Sequence, residues 1–265
     1  MTDPATLYEA WFVPAVFAPS ARQLLDRVAI APDARVLDIA CGSGIVARTV
    51  ARRLGPAGRV IGLDASPAML AAARRASEAE RLAIEWREGD AQELPFADAS
   101  FDLVLCQHGL QFFPNRARAL AEMHRVLAPG GHVAVATWRG LDQHPFLAAY
   151  VRAVRQRFEA AALEAPFALG DPARVAALLL DAGFRDVSVE PLAFAAEYAE
   201  PERFVEYQTQ AAAAVIPALN DLTAAELDAL IGAVRGDLEA LVRAATAGDR
   251  LRIPTRGIVA RGRRG

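Results

Sequence analysis

The chain has 265 residues, a formal net charge of −3 and 54% hydrophobic residues. This length suits one sizeable α/β domain, or such a domain with an appended helical part, and the weak charge gives no general attraction to nucleic acid or anionic membranes. All 29 basic residues are arginine, which excludes any mechanism that needs a lysine.

The sequence gives no sign of a membrane span, an export signal or a metal site. It has no apolar run of about 20 residues and no basic, apolar and cleavable leader, so we expect a cytoplasmic protein. Cys41 and Cys106 are too few for a disulfide framework or a zinc site, and the four histidines are dispersed. We therefore expect no metal.

Apolar strands and helices alternate through the first half of the chain. After a helical stretch at residues 3–29, the predicted elements are strands at 35–40, 59–64, 82–88, 102–107 and 132–138, with helices at 44–54, 67–78 and 115–127. Such alternation is typical of βαβ units in a parallel sheet that is covered on both faces. The predicted fold is a doubly wound, Rossmann-like α/β fold.

The alternation ends after Trp138. The predicted elements are then an amphipathic stretch at 145–162, a helix from Asp171-Pro172 to Asp181, a strand at 187–194, helices at 201–216 and 222–246, and a last strand at 253–260. We expect one domain over residues 1–265, with a core of about 30–140 and 171–265, an N-terminal flap at 1–29, and helical lid insertions at about 141–170 and 201–247.

The segment Val36–Gly44 is the most informative stretch of the chain, because a buried strand runs there into a glycine turn and a helix start. Gly42-Ser43-Gly44-Ile45-Val46-Ala47 fits the dinucleotide pattern G-x-G-x-x-A, in which helix amides hold a pyrophosphate. Asp38 would repel such a dianion. A cofactor that carries an ammonium and a sulfonium, such as S-adenosylmethionine (SAM), suits this carboxylate better.

Two further carboxylates follow predicted strands. Asp64 ends the second strand, where an acid accepts the ribose hydroxyls of an adenosine cofactor or caps the helix that begins at Ser66-Pro67. Asp90 ends the third strand, where its carboxylate can accept a hydrogen bond from the adenine amine and the Ala91 amide can donate one to a ring nitrogen. The alternative is that these residues form a solvated turn without a ligand. Met69 suits the adenine face or ordinary core packing.

Four ordered motifs give the chain a family resemblance: VLDIACGSG, VIGLDAS with PAML, EGDAQELPFADASFDLVLCQHGLQFFPN, and EMHRVLAPGGHVAVATW. Together they span residues 34–140 and resemble class I SAM-dependent methyltransferases. Within that class they are similar to the small-molecule group that includes the ubiquinone and menaquinone C-methyltransferases. The resemblance implies a seven-stranded, mostly parallel sheet and SAM as the cofactor.

The resemblance also implies a role for each matching position. Asp38, Ala40, Cys41, Gly42 and Gly44 would line the methionine part of the cofactor, Asp64 and Ala65 the ribose, Met69, Asp90 and Ala91 the adenine, and Gln107 and His108 the methyl-transfer centre. A histidine with a pKa near neutrality suits proton removal from an acceptor. His108 is the candidate base, with contact to the cofactor alone as the alternative.

Aromatic residues outside the glycine turn suit an acceptor site or a core. The candidates for enclosing the substrate are Tyr8, Trp11, Phe12, Phe112, Trp138 and Tyr207. The predicted activity is methyl transfer from SAM to a small, fairly apolar metabolite at oxygen, nitrogen or carbon. The alternatives are an NAD(P)-dependent oxidoreductase and a SAM-binding module without catalysis. We expect no nucleic-acid partner or membrane span, and leave monomer or homodimer open.

Overall fold

A single twisted sheet organises the protein. The computed structural model describes residues 4–157, 161–213, 219 and 221–265. The strands are β1 Arg35–Ile39, β2 Arg59–Asp64, β3 Glu85–Glu88, β4 Phe101–Gln107, β5 Leu127–Trp138, β6 Arg185–Ala199, the two-residue β7 Thr246–Ala247, and β8 Arg250–Arg263.

The order of the strands is β3-β2-β1-β4-β5-β8-β6, and β7 pairs only with β8. The first five strands run parallel, whereas β8 is antiparallel to both β5 and β6. The order reverses between β1 and β4, and open α/β sheets bind ligands at such a point, beyond the carboxyl ends of the strands. The predicted mostly parallel, Rossmann-like fold is confirmed.

Helices cover both faces of the sheet and one end of it. They are α1 Pro4–Leu7, α2 Ala18–Leu25, α3 Ile45–Ala51, α4 Pro67–Ala79, α5 Arg116–Val126, α6 Pro145–Arg155, α7 Pro172–Asp181, α8 Phe204–Ala213 and α9 Ala224–Ala245. A wide, π-type helix over Tyr8–Phe17 joins α1 to α2. Pro14 lies inside this stretch, and a proline removes a donor from the helical hydrogen-bond ladder, which accounts for the irregular winding.

Two apolar cores enclose the sheet. One lies between the sheet and helices α5 and α7 and includes Val104 and Met123, and the other lies under α2 and α3 and includes Leu103 and Leu105. The alternation of Leu103, Val104 and Leu105 between the two cores follows from the period of two in a strand. Both faces are buried, as parallel sheets require.

A third core lies beyond the sheet. The outer parts of β6 and β8 pair with each other past the point where β5 ends, from Ala193–Arg256 to Ala199–Arg250. Helices α6, α8 and α9 pack around this extension together with Leu7–Phe17 of the N-terminal segment Pro4–Leu25. The N-terminal segment and the helices after Trp138 therefore share one core, although they are far apart in the sequence.

Several predicted boundaries change. The strand predicted at 82–88 begins at Glu85, and the strand predicted at 132–138 begins at Leu127 because its backbone continues through the Gly130-Gly131 turn. The stretch predicted at 145–162 ends as a helix at Arg155, and the helix predicted at 201–216 is described over Phe204–Ala213. Residues 158–160 and 214–216 of these two predictions lie outside the described residues.

None of the helices in the described ranges is both long and apolar enough to cross a membrane.

Candidate functional site

The turn after β1 folds back on itself through a run of left-handed residues. Ala40, Gly42 and Gly44 have φ angles of 52°, 56° and 84°. The Gly44 amide donates a hydrogen bond to the Cys41 carbonyl at 2.9 Å, and the Cys41 amide donates to the Leu63 carbonyl at 3.1 Å. The turn is thus tied to β2 and opens directly into α3, as the glycine pattern predicted.

Gly44 has a second reason to be glycine. A Cβ atom at this position would lie 2.2 Å from the indole of Trp86, and a Cβ at Gly62 would lie 2.3 Å from the same ring. The Trp86 indole nitrogen donates to the Ser77 hydroxyl at 3.1 Å, which fixes the ring against α4. Sequence reasoning missed Trp86, since nothing in the local pattern of β3 marks its contact with the first turn.

Asp38 is a buried carboxyl group with an unfilled hydrogen-bonding position. It is 1% exposed, and its Oδ2 accepts a hydrogen bond from the Ala47 amide at 3.0 Å. Its Oδ1 has no partner among the described residues. Burial raises the pKa of Asp38 to about 8, and the negative charge of Asp64 adds to the rise. A cation placed at Oδ1 would stabilise the ionised carboxylate and lower the pKa of Asp38 toward its ordinary value.

Asp64 connects the two turns at the ends of β1 and β2. Its Oδ2 accepts from the Gly42 amide at 2.8 Å, and its Oδ1 accepts from the Ser66 amide at 2.9 Å. The cap of α4 is Ser66 itself, whose hydroxyl accepts from the Met69 amide at 3.4 Å. Ala65 is exposed and Met69 is half-buried at the start of α4, so both border the space outside Asp64.

Asp90 and Ala91 follow β3 on the same edge of the sheet. Asp90 is exposed, and its Oδ1 accepts from the Gln92 amide at 2.8 Å, whereas Ala91 is buried. The Gln92 side chain in turn accepts from the Asn115 amide at 2.9 Å, which connects this turn to the start of α5. The three predicted carboxylates therefore lie at the carboxyl ends of three neighbouring strands.

Gln107 and His108 end β4 beside the N-terminal segment. The Gln107 side chain donates to the Phe17 carbonyl at 3.1 Å, and its oxygen has no partner among the described residues. His108 has a left-handed backbone, with φ at 54°, and its Nε2 lies 2.7 Å from the Ser20 hydroxyl. Its ring stacks on Trp138 with 3.5 Å between the ring centroids.

The electrostatic state of His108 differs from the expectation. Burial lowers the pKa of His108 to about 3, so the ring is neutral at pH 7. This pKa is lower than the near-neutral value that suits proton removal, because the ring is buried. A neutral ring accepts or donates a hydrogen bond at Nδ1, which has no partner among the described residues. Its role as a base stays a prediction.

The predicted aromatic residues separate into two groups. Tyr8 and Trp138 lie near the strand ends: the Tyr8 hydroxyl would be 3.6 Å from a Cβ at Gly42, and Trp138 contacts His108. Trp11 and Phe12 are buried in the third core, where Trp11 packs against Tyr207 at 4.9 Å between ring centroids. Phe112 is 56% exposed, so much of its ring faces solvent.

An ion-pair cluster holds the N-terminal segment over α3. Arg48, only 5% exposed, pairs with Glu9 at 2.5 Å and with Glu80 at 2.7 Å. Arg48 lies four residues after Gly44, on the side of α3 away from the core residues Val46, Ala47 and Val50. The sequence carries no local signal for this cluster, because Glu9, Arg48 and Glu80 are far apart in the chain.

The other reactive groups near the turn are inert thiols. Cys41 and Cys106 are both buried and free, and burial raises the pKa of each thiol, that of Cys106 to about 12. Neither is a thiolate at neutral pH. Within the described part of the chain, no group of three or more histidine, cysteine, aspartate or glutamate side chains is arranged to hold a metal ion.

Comparison with known proteins identifies relatives of this core. Residues 37–135 match the family model described as a methyltransferase domain. This segment is therefore similar to methyltransferase domains. Over 112 residues the chain is 45% identical to the chloroplastic 2-phytyl-1,4-beta-naphthoquinone methyltransferase of Arabidopsis thaliana. The aligned residues are 41% of this chain and 43% of that protein. The predicted resemblance to quinone methyltransferases is confirmed.

A bacterial relative gives the same result. The demethylmenaquinone methyltransferase of Thermus thermophilus is 45% identical over 101 residues, which are 38% of this chain and 46% of the relative. The chain thus aligns with less than half of the length of these relatives. The alignments carry information on the methyltransferase domain and none on the helices that form the third core.

Solved structures match nearly the whole chain at low identity. A methyltransferase structure from Bacillus halodurans has a TM-score of 0.61 at 20% identity and covers 92% of this chain and 98% of its own. The [4+2]-cyclase SpnF has a TM-score of 0.57 at 21% identity, with 92% and 80% covered. These likenesses establish the fold alone, and the cyclase shows that one fold supports different chemistries.

Proposed function

We propose that the protein transfers a methyl group from SAM to a small, fairly apolar metabolite. The observation that carries the proposal is Asp38, a buried carboxyl group with one oxygen free of partners at the foot of the glycine turn. A pyrophosphate would add negative charge beside it, whereas an ammonium group would neutralise it. The matching methyltransferase domain supports the same cofactor.

The described residues fit this cofactor along the edge of the sheet. The free Asp38 oxygen and the left-handed turn from Ala40 to Gly44 would receive the methionine part, and Asp64 with Ala65 the ribose hydroxyls. Met69, Asp90 and Ala91 would border the adenine. Each Asp64 oxygen accepts one backbone hydrogen bond and keeps capacity for a second, as contact with a diol requires.

The reaction class needs positioning more than covalent chemistry. SAM supplies an activated methyl group on a sulfonium, and transfer is an in-line displacement by the acceptor atom. The residues of this chain would bind and orient the two molecules and exclude water. Gln107, His108 and Trp138 lie beyond the turn, at the ends of β4 and β5, where the acceptor would approach. The neutral His108 ring would accept a hydrogen bond from the acceptor.

Part of the proposed acceptor side lies outside the matched residues 37–135. The aligned relatives carry the names of naphthoquinone and menaquinone methyltransferases, which supports an apolar ring compound. Besides Gln107 and His108, the N-terminal segment and the residues from Trp138 onward would enclose the acceptor. We propose oxygen, nitrogen or carbon as the accepting atom. A cytoplasmic location, a monomer or homodimer, and the lack of a nucleic-acid partner stay predictions.

Isothermal titration calorimetry tests the cofactor. S-adenosylhomocysteine, which keeps the ammonium group, should bind the wild type, whereas NAD and NADP should not. The variant Asp38→Asn should bind about ten- to a hundredfold more weakly, since a charged hydrogen bond contributes about 1.5–3 kcal/mol. The exposed Asp249→Asn is the matched control. Binding of NAD in preference, or an unchanged affinity in Asp38→Asn, would refute the proposal.

A second measurement separates catalysis from binding alone. Transfer of radiolabelled methyl groups from SAM to a panel of phenols, amines and quinols should give a labelled product. A protein that binds S-adenosylhomocysteine but labels no member of the panel would favour the alternative of a SAM-binding module without catalysis.

A further inference from the structure

The aromatic ring of Tyr8 covers the glycine turn of the candidate cofactor site. Its hydroxyl would lie 3.6 Å, and its nearest ring carbon 3.9 Å, from a Cβ atom at Gly42. Phe17 stacks on the Tyr8 ring with 4.8 Å between the ring centroids. Burial raises the pKa of the Tyr8 hydroxyl, and the negative charge of Asp64 adds to the rise, as expected for a ring that lies among the carboxylates of this site. A cofactor that binds along the turn therefore meets Tyr8.

An ion pair next to Tyr8 holds the ring in this position. Glu9 accepts a hydrogen bond from Arg48 Nη2 at 2.5 Å. Arg48 lies on α3, the helix into which the glycine turn opens, and the amide of its neighbour Ala47 donates to the Asp38 carboxyl group at 3.0 Å. The N-terminal segment is thus attached to the same turn of helix that contacts Asp38.

The contact made by Glu9 is separate from the contacts that join α3 to α4. Arg48 Nη1 donates to Glu80 Oε1 at 2.7 Å, and Arg52 also pairs with Glu80, which follows the last residue of α4. These two helices are therefore joined without Glu9. Loss of the Glu9 charge would release the N-terminal segment and still leave Arg48 with a carboxylate partner.

The Glu9–Arg48 pair has features of a contact that can open. Arg48 is 5% exposed, and its Nε and the Glu9 Oε2 have no partner among the described residues. Burying such atoms costs free energy, which offsets part of the attraction between the two charges. The Glu9 side chain is 29% exposed, so a small movement brings it into water. The closed arrangement is therefore only weakly favoured over an open one.

We propose that the Glu9–Arg48 pair is a latch that holds Tyr8 over the glycine turn, and that the cofactor enters and leaves when this pair opens. This inference rests on the proposed function, because it concerns access to the same cofactor site. The latch closes the free and the occupied turn alike, so it lowers the open fraction of the protein in both states. It thus slows association and dissociation by the same factor and leaves the affinity unchanged.

Stopped-flow mixing with S-adenosylhomocysteine tests the latch. Tryptophan fluorescence supplies the signal, because the Trp86 indole packs against Gly44 of the turn. Glu9→Gln should raise both the association and the dissociation rate by about ten- to a hundredfold, since it removes one charged hydrogen bond, and should change Kd by less than about threefold.

The matched control is Glu80→Gln. It removes a carboxylate from the same arginine without a change in the N-terminal segment, so neither rate should rise. In the Tyr8→Ala background, Glu9→Gln should also accelerate neither rate further, because the latch then holds no ring over the turn. If Glu9→Gln does not fold, Glu9→Asp, which shortens the side chain by one methylene and keeps its charge, replaces it in the same comparison.

The outcomes separate a latch from general stabilisation of the site. Faster dissociation of Glu9→Gln without faster association would show weakened binding and overturn the latch, as would equal acceleration in Glu80→Gln. A further acceleration of both rates in the Tyr8→Ala background would overturn the role of Tyr8. Failure of the wild type to bind S-adenosylhomocysteine overturns the proposed function and this inference with it, whereas normal binding with unchanged rates in Glu9→Gln overturns the latch alone.

Discussion

At the scale of single residues, Asp38 and His108 show how burial changes a chemical role. Both are polar, both lie at the carboxyl ends of strands, and both have an atom without a partner among the described residues. Burial favours the uncharged form of each, so it raises the pKa of the acid and lowers that of the base. Without a ligand, Asp38 and His108 are therefore both mostly uncharged at neutral pH.

The raised pKa of Asp38 makes stability depend on pH in a predictable direction. The folded protein holds this proton up to about pH 8, whereas the unfolded chain releases it near the ordinary value of 3.8. Because the folded state binds more protons in this window, the contribution of Asp38 to the free energy of unfolding falls as the pH rises from about 4 to about 8.

Chemical denaturation of Asp38→Asn tests this direction. Between pH 5 and pH 8, the variant should gain stability relative to the wild type by about 1–3 kcal/mol, less than the full pKa shift because the protein relaxes around the charge. The control Asp249→Asn should follow the wild type at every pH. Parallel curves for Asp38→Asn and the wild type would contradict the assigned state of Asp38.

The lowered pKa of His108 predicts a ring that does not titrate near neutrality. Nitrogen NMR of the histidine side chains should show the His108 ring neutral from pH 8 to pH 5, with the signal assigned by its loss in His108→Phe. Because the unfolded chain takes up this proton below about pH 6.5 and the folded chain only near pH 3, acid removes stability through this residue. A midpoint between pH 6 and pH 7 would restore the expected ordinary base.

At the scale of elements, the turn between β1 and α3 depends on a residue from β3. Gly44 needs a left-handed backbone, and its missing Cβ leaves the space that the Trp86 indole occupies. Gly130 is a natural comparison, because its φ of 79° is similar but nothing lies within 4 Å of a Cβ at that position. The pair separates backbone strain from side-chain overlap.

We expect Gly44→Ala to lower the free energy of unfolding by about 2–4 kcal/mol, and Gly130→Ala by about 1 kcal/mol. Replacing Trp86 by leucine in the Gly44→Ala background should recover part of the difference, since the overlap is then relieved. Urea denaturation measures all of these values. Equal losses in the two single variants would show that Trp86 does not restrict Gly44.

The strand and helix boundaries show what a local pattern contains. Strand β2 has the predicted limits of 59–64, and α5 follows its Asn115 cap, whose side chain accepts from the Arg118 amide at 3.0 Å. Strands β6 and β8 are longer than predicted, because their outer halves are stabilised by pairing with each other and by the third core. No local periodicity contains that information.

The candidate site divides in the same way. The carboxylates and glycines could be predicted, because each follows a strand in the sequence and parallel strands end at one edge. The positions of Ser20 on His108, Trp86 on Gly44 and Glu9 on Arg48 could not, since each pair joins segments that are distant in the sequence. The assignment of ligands to the site residues stays a prediction.

At the scale of the whole molecule, the third core connects the N-terminal segment to the helices after Trp138. Phe204 is fully buried there and packs against Trp11, Tyr198 and Phe146 at 5.2–5.8 Å between ring centroids. The two sequence regions that border the acceptor side therefore depend on the same packing. A change in one should loosen the other.

Phe204→Ala tests this coupling. It should lower the free energy of unfolding by about 3–5 kcal/mol, the usual cost of removing a buried phenylalanine. Hydrogen exchange should become faster in both Tyr8–Phe17 and Ala224–Ala245, with strands β1, β2 and β4 less affected. Leu180→Ala, at a residue that is 56% exposed, is the control. Faster exchange in only one of the two regions would show that they are independent.

The position of β8 has a consequence for the order in which the chain assembles. Strands β1–β5 can form their sheet from contacts within about 100 consecutive residues, but β6 must wait for β8, which is synthesised some fifty residues later and enters between β6 and β5. Loop closure over such separations is slow. During folding, the proposed cofactor site at the ends of β1–β3 would thus form before the proposed acceptor site. Binding of the cofactor would then not require β6 and β8 to be in place.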